Sequence, residues 1–196
     1  MRRISALEQQ IRNYLNNNTT LYERYFKSHL DGWNALCVAM DTLGDTCLSL
    51  EYYEASGIGN EYGEKYLKLY GLLQAIFLQQ DSIRKIYRIF IESDLQSDSD
   101  SAWAKIRDLR NLTVGHPIEK KPIKKKHETE TKRSFISRVT IHSDGFQLIV
   151  WNKNKEEKEC KELNLKSLYE KYKTEAIEHL ENIYQAQIMK QSKTGD

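Results

Sequence analysis

Between residues 61 and 92 the side chains Tyr62, Tyr66, Leu69, Leu73, Ile76, Gln80, Ile83, Tyr87 and Phe90 recur at alternating steps of four and three. Every one except Gln80 is apolar. At 3.6 residues per turn this spacing draws a narrow seam along one side of a helix, and such a seam is stable only when other helices cover it. A chain with this segment must therefore build a helical bundle around it. The polar break at Gln80 needs a partner. Gln79, Gln80 and Asp81 either join a buried hydrogen-bond network or face a cleft.

Other segments supply the covering helices. Ile4, Leu7, Ile11 and Tyr14 place an apolar stripe on a first helix over residues 3–16, closed by the polar run 16–20. Leu21, Tyr22, Tyr25, Phe26 and Leu30 describe a short second helix, which Asp31-Gly32 is expected to break. From Trp33 the stripe Leu36, Cys37, Met40, Leu43, Gly44, Cys47 and Leu50 predicts a long helix, with Gly44 admitting a close neighbour. Gly57, Gly59 and Asn60 then form a loop before the seam helix. A terminal helix begins near Asn164 with Leu165, Leu168, Tyr169, Tyr172, Ala176, Leu180, Ile183 and Tyr184 inward, and Ser167 to Glu170 reads as a capping box. The tail after about Lys190 is expected to be disordered.

Between these helices the period changes to that of strands. Residues 135–142 and 146–151 read as a hairpin joined across Ser143-Asp144-Gly145, and residues 158–163 as a short third strand with Cys160 inward. So small a sheet must lay one face on the helices or on a partner. Phe146 and Trp151 have the chemistry to stack on a base, and equally to pack in a core. The expected architecture is mainly α: an antiparallel bundle of four to six helices in one domain, 1–196. A basic loop at 118–133 and a β insertion at 134–163 precede the last helix.

Composition agrees, and it excludes several classes. Two prolines and nine glycines in 196 residues suit helices better than a sandwich or barrel. Cys37, Cys47 and Cys160 are odd in number and lack metal-ligand spacing, which speaks against a disulfide framework or a zinc site and for a reduced cytoplasmic protein. The first ten residues lack the apolar core of a signal peptide, and no run reaches the length of a membrane span, so no membrane partner is expected. P-loop, dinucleotide and HExxH signatures are absent, and no bound cofactor is called for. With a formal net charge of +2, any electrostatic argument has to be local.

The local concentration is Arg107-Asp108-Leu109-Arg110-Asn111-Leu112-Thr113-Val114-Gly115-His116-Pro117. It follows the polar stretch 94–101, in which Asp100 or Ser101 is placed to cap a helix anchored by Trp103, Ile106 and Leu109. Arg107 and Arg110 are three apart and Asn111 is four from Arg107, so the three share one surface. Arg110 is permanently cationic and suits a phosphate, whereas His116 both takes and gives protons near neutrality. In a regular helix His116 would stand about 240° round from Arg110. Val114, Gly115 and Pro117 disfavour that continuation, so the last turn is expected to open and bring His116 back. Downstream, Lys120, Lys121, Lys124, Lys125 and Lys126, with Lys132 and Arg133, outweigh the acidic residues of the arm. Such an arm is either a solvated loop or a contact for a phosphate backbone.

Arg110, a polar residue after it, and His116 beyond five intervening residues resemble the Arg-x(4–6)-His motif of HEPN domains. The likeness extends over the helical core, about residues 30–117, and the last helix. It implies a small helical bundle and a metal-independent endoribonuclease of bacterial toxin or antiviral systems. It also implies a homodimer whose two motifs face each other in a composite site, with an antitoxin or regulatory protein as a further partner. Members paired with a nucleotidyltransferase often carry Tyr two residues after the His; Ile118 stands there in this chain.

The chemistry that fits these residues is attack of a ribose 2′-hydroxyl on the adjacent phosphorus of RNA. His116 would move the proton, a contribution of about 10² to 10⁴ in rate. Arg110 would balance charge on the phosphoryl oxygens, Asn111 would hold the imidazole or a phosphate oxygen, and Arg107 and the lysine arm would bind the flanking backbone. The competing reading is a noncatalytic helical module that binds protein or nucleic acid. In it Arg110 pairs with Asp108 or Asp81, and His116 caps carbonyls at a helix end.

Overall fold

A computed structural model describes residues 1–18, 22, 26–27, 30–115, 117–119 and 131–192, with side chains described as far as Gln187. Among the described residues the chain forms five α-helices and one small antiparallel sheet that precedes the last helix. The helices are α1 (Arg2–Asn17), α2 (Leu30–Ser56), α3 (Tyr62–Ile91), α4 (Ala102–Arg110) and α5 (Leu165–Ser192). The strands are β1 (Lys132–Ile136), β2 (Gly145–Asn152) and β3 (Glu157–Asn164).

Helix α3 is the seam helix, and its inner residues Leu69, Leu73, Ile76, Ile83, Ile86 and Phe90 are buried against α2, α4 and α5. Helix α2 starts at Leu30, so Asp31-Gly32 lies inside its first turn instead of breaking the chain. An aspartate there is favoured by the helix dipole, and a glycine so near an end costs little. Trp33 anchors that turn, with its ring 5.1 Å from Tyr22 and 5.5 Å from Phe26. At Gly44 the close neighbour is Arg12 of α1, held there by Glu8 at 2.6 Å and by the Met40 carbonyl at 2.8 Å.

The polar pair on the seam divides between two tasks. Gln79 donates to the Thr46 hydroxyl at 3.3 Å and to Cys47 Sγ at 3.7 Å, and its carbonyl accepts from the Tyr172 hydroxyl at 2.9 Å. It therefore ties α2, α3 and α5 together. Gln80 donates to the Trp103 carbonyl at 2.8 Å, and its own carbonyl faces Arg107 Nη1 at 3.4 Å. That contact fastens α4 to the seam.

Helix α4 carries two caps. The Ser101 hydroxyl accepts from the Ala104 amide, as a serine in that place should. The Glu175 carboxylate, from α5, also accepts from the amides of Ala102 and Trp103 at 2.9 and 2.7 Å. A carboxylate on free helix amides suits both their hydrogen-bonding need and the dipole. Trp103 is fully buried beneath, stacked edge-on with His179 at 5.0 Å.

The sheet has strand order β1-β2-β3, all antiparallel. Ser134, Ile136, Phe146, Leu148 and Val150 are buried on its inner face, so Phe146 is a core residue. Three expectations are corrected. The tight turn across Ser143-Asp144 stands, since His142 and Gly145 exchange both backbone hydrogen bonds, but the first strand ends at Ile136 instead of running to His142, and the chain reaches the turn through a 3-10 turn at Arg138–Thr140. Cys160 is exposed: it pairs with Ile149, whose neighbours Leu148 and Val150 take the inner face, and a period of two sends it outward. The cap of α5 is Asn164, whose side-chain oxygen accepts from the Ser167 amide at 2.8 Å, in place of a Ser167 box. The short helix expected at 21–30 lies mostly outside the described residues, as does the tail beyond Ser192.

Candidate functional site

Past Arg110 the α-helix loosens into a single π turn, Asn111–Gly115. Contacts from within the turn and from β1 hold it. The Thr113 hydroxyl donates to the Leu109 carbonyl at 2.8 Å, and the Ser134 hydroxyl of β1 donates to the Leu112 carbonyl. The Ser134 amide donates to the Pro117 carbonyl at 2.7 Å, so β1 holds both sides of the turn. A widened turn of this kind re-aims the side chains that follow it and is frequent at functional sites.

Arg110 projects from the end of α4 onto α3. Its Nε and Nη2 donate to the Gln74 side-chain oxygen at 3.0 and 2.9 Å, and its Nη1 donates to the Asn111 side-chain oxygen at 3.1 Å. Its central carbon lies 4.0 Å from the centre of the Phe77 ring, and that of Arg107 lies 4.1 Å from the same ring. One phenyl ring thus carries two guanidiniums. Arg107 is ion-paired with Asp81 at 2.8 Å.

A third arginine belongs to this surface. Arg84 lies 5.8 Å from the Trp103 ring, and its Nε is buried without a hydrogen-bond partner among the described residues. Burial first, then repulsion from Arg107, hold both Arg84 and Arg110 below the ordinary arginine value, with Asp81 opposing. Both remain cations, because a guanidinium starts so high. Among the described residues neither has a carboxylate within ion-pairing distance.

Arg107, Arg110 and Asn111 are therefore brought together, as their spacing implies. His116, Lys120, Lys121, Lys124, Lys125 and Lys126 lie outside the described residues. Gln74, Phe77 and Arg84 were not legible as site residues. Their signal is a second stripe on α3, Gln74, Phe77, Asp81 and Arg84, one residue beyond the seam positions Leu73, Ile76, Gln80 and Ile83. Gln74 also lines an open groove of about 850 Å³ between α2 and α3, with Leu48, Tyr52, Leu72, Ala75 and Leu78 among its walls.

The cysteines of α2 take no part. Cys47 is buried, and that burial raises its thiol to about 11, so it stays protonated and packs as a small apolar group. Among the described residues no group of three or more His, Cys, Asp and Glu is placed to hold a metal ion. No helix among them is long and apolar enough to cross a membrane. The arrangement offers a cationic, partly dehydrated surface that suits phosphate oxygens.

The chain matches no family model, no curated protein and no solved structure.

Proposed function

We propose that the chain is a metal-independent endoribonuclease of the HEPN kind, with the surface of Arg107, Arg110 and Asn111 as its phosphate site and His116 as its acid/base. The observation that carries this reading is how Arg110 is held. Amide oxygens of Gln74 and Asn111 fix its guanidinium, and no carboxylate among the described residues neutralises it. An arginine kept for structure alone is usually offset by a carboxylate when partly buried. One held by neutral groups keeps its charge for a ligand.

In the proposed reaction the ribose 2′-oxygen bonds to phosphorus as its proton passes to a base, and the bond to the 5′-oxygen breaks as that oxygen gains a proton. The products are a 2′,3′-cyclic phosphate and a 5′-hydroxyl. Arg110 bears on the oxyanion that builds at phosphorus, and positioned donors of this sort contribute about 10²–10³ in rate. Arg107, shared with Asp81, holds the adjoining backbone. One imidazole serves poorly as both acid and base, so two chains related by a two-fold axis would each supply His116 to a composite site. A prokaryotic toxin or antiviral role in the cytoplasm, with an antitoxin or regulatory protein, belongs to the same reading.

The test is cleavage of a labelled unstructured RNA in excess chelator, beside His116→Ala and Arg110→Ala. Cyclic-phosphate ends that both variants abolish are the expected result. Binding without cleavage in all three proteins would favour the noncatalytic module.

A further inference from the structure

The two faces of the sheet differ in kind. The inner face is buried, whereas the outer face presents Phe135, 59% exposed, and Trp151, 38% exposed. Register places Arg133 opposite Trp151 on one side and Lys158 opposite it on the other. Side chains directly opposite in a sheet share a face, so Trp151 stands in a row between two cations. Both are exposed, and among the described residues neither makes an ion pair. The carboxylate on this face, Glu162, sits toward the other end and accepts from the Gln147 amide at 2.9 Å.

Phe135 lies one diagonal from Trp151, since Phe135 pairs with Ile149. Diagonal neighbours on a sheet are about 7–8 Å apart. Stacked bases rise only about 3.4 Å, so bases resting on these two rings cannot also stack on one another. That is the state of an unpaired strand and not of a duplex.

We propose that this outer face binds single-stranded nucleic acid, with Trp151 and Phe135 each stacking one base and Arg133 and Lys158 meeting the flanking phosphates. Charge complementarity selects this occupant: Trp151 stands between two cations that make no ion pair among the described residues, and the apolar row beside it, Phe135, the half-buried Ile149 and Cys160, is small, which suits a polyanion with flat apolar faces. The face is separate from the arginine site and binds whether or not that site cleaves. Ser134, between Arg133 and Phe135, bonds to Leu112 and Pro117, so the platform is joined through β1 to the turn that follows Arg110.

The test is fluorescence anisotropy of a labelled 2′-O-methyl oligouridine, which has no free 2′-hydroxyl to attack, with the full chain at two salt concentrations. Trp151→Ala and Phe135→Ala should each weaken binding about tenfold. Trp151→Phe should keep most of it, and thermal melting should be unchanged in all three. Arg133→Ala with Lys158→Ala should lower the slope of log affinity against log salt by about 1.4, at about 0.7 per phosphate contact on a single strand. The proposal is overturned if the parent fails to bind, if a duplex binds as well as the single strand, or if both alanine variants bind within twofold of the parent. It is equally overturned if sedimentation shows that Trp151→Ala separates two copies of the chain while oligouridine affinity holds. Failure of RNA cleavage with these binding losses intact would remove the nuclease reading and leave this one standing.

Discussion

Gly115 lies directly against the guanidinium of Arg110: a Cβ on Gly115 would come within 2.6 Å of Arg110 Nη1 and 3.3 Å of its central carbon. The glycine is needed here for space. Gly115→Ala should displace the far end of a flexible side chain while leaving the bundle intact, so melting should move little. A shift of about 1 Å in a catalytic group costs on the order of 10²-fold in rate. Cleavage of labelled RNA by Gly115→Ala should fall by that order, and a rate equal to the parent's would show that the placement of Arg110 does not matter.

Gln80 is fully buried and joins the Trp103 carbonyl to Arg107. Gln80→Leu keeps the volume but removes the donor that the Trp103 carbonyl receives from α3, and leaves Arg107 without its contact on the Gln80 oxygen. The loss should be about 0.5–1.5 kcal/mol of stability in urea unfolding. Arg107 should also become more mobile, which on the proposed function weakens RNA binding, read by anisotropy of a labelled oligonucleotide.

Asp81 is the ion-pair partner of Arg107, and the pair is partly solvent-exposed. Removing its charge in Asp81→Asn should change stability by less than about 1 kcal/mol. Affinity for RNA at low salt should rise, with a steeper salt dependence, because Arg107 is then free for phosphate. Anisotropy titrations at several salt concentrations check both signs.

His179 is half-buried against Trp103 and Tyr87. Burial lowers its pKa, Arg84 adds to that, and Glu175 and Glu178 oppose it. The folded value is therefore below the unfolded one. As pH falls below about 6.5 the unfolded chain takes up the proton first. Stability should be complete above that pH and decline on acidification, and His179→Phe should flatten this part of the profile. Urea unfolding at a series of pH values between 5 and 8 measures the difference.

Much of the scaffold was legible from local pattern alone. The alternation of four and three through residues 61–92, the capping serine at 101 and the poor helix formers after Arg110 all act within a turn or two of themselves. Helix α3, the start of α4 and the loosened turn Asn111–Gly115 accordingly stand where these residues imply. The sharing of one surface by Arg107, Arg110 and Asn111 also follows from helix geometry.

What surrounds that surface was decided by tertiary structure. Arg110 meets Gln74, 36 residues away, and the N-terminus of α4 meets Glu175, more than 70 residues away. Nothing in the periodicity of either segment names the other. Cys160 turned outward because its partner strand sets which face is buried, and a slip of one residue would have turned it in. Apolar spacing by itself determined the long helices and most of their inward sides, although Tyr62 is exposed at the start of α3 and Leu30, assigned to a separate helix, opens α2. The side chains that face one another at the charged surface were set only when α3, α4 and β1 packed, because polar contacts across elements depend on register and distance, which no local pattern encodes.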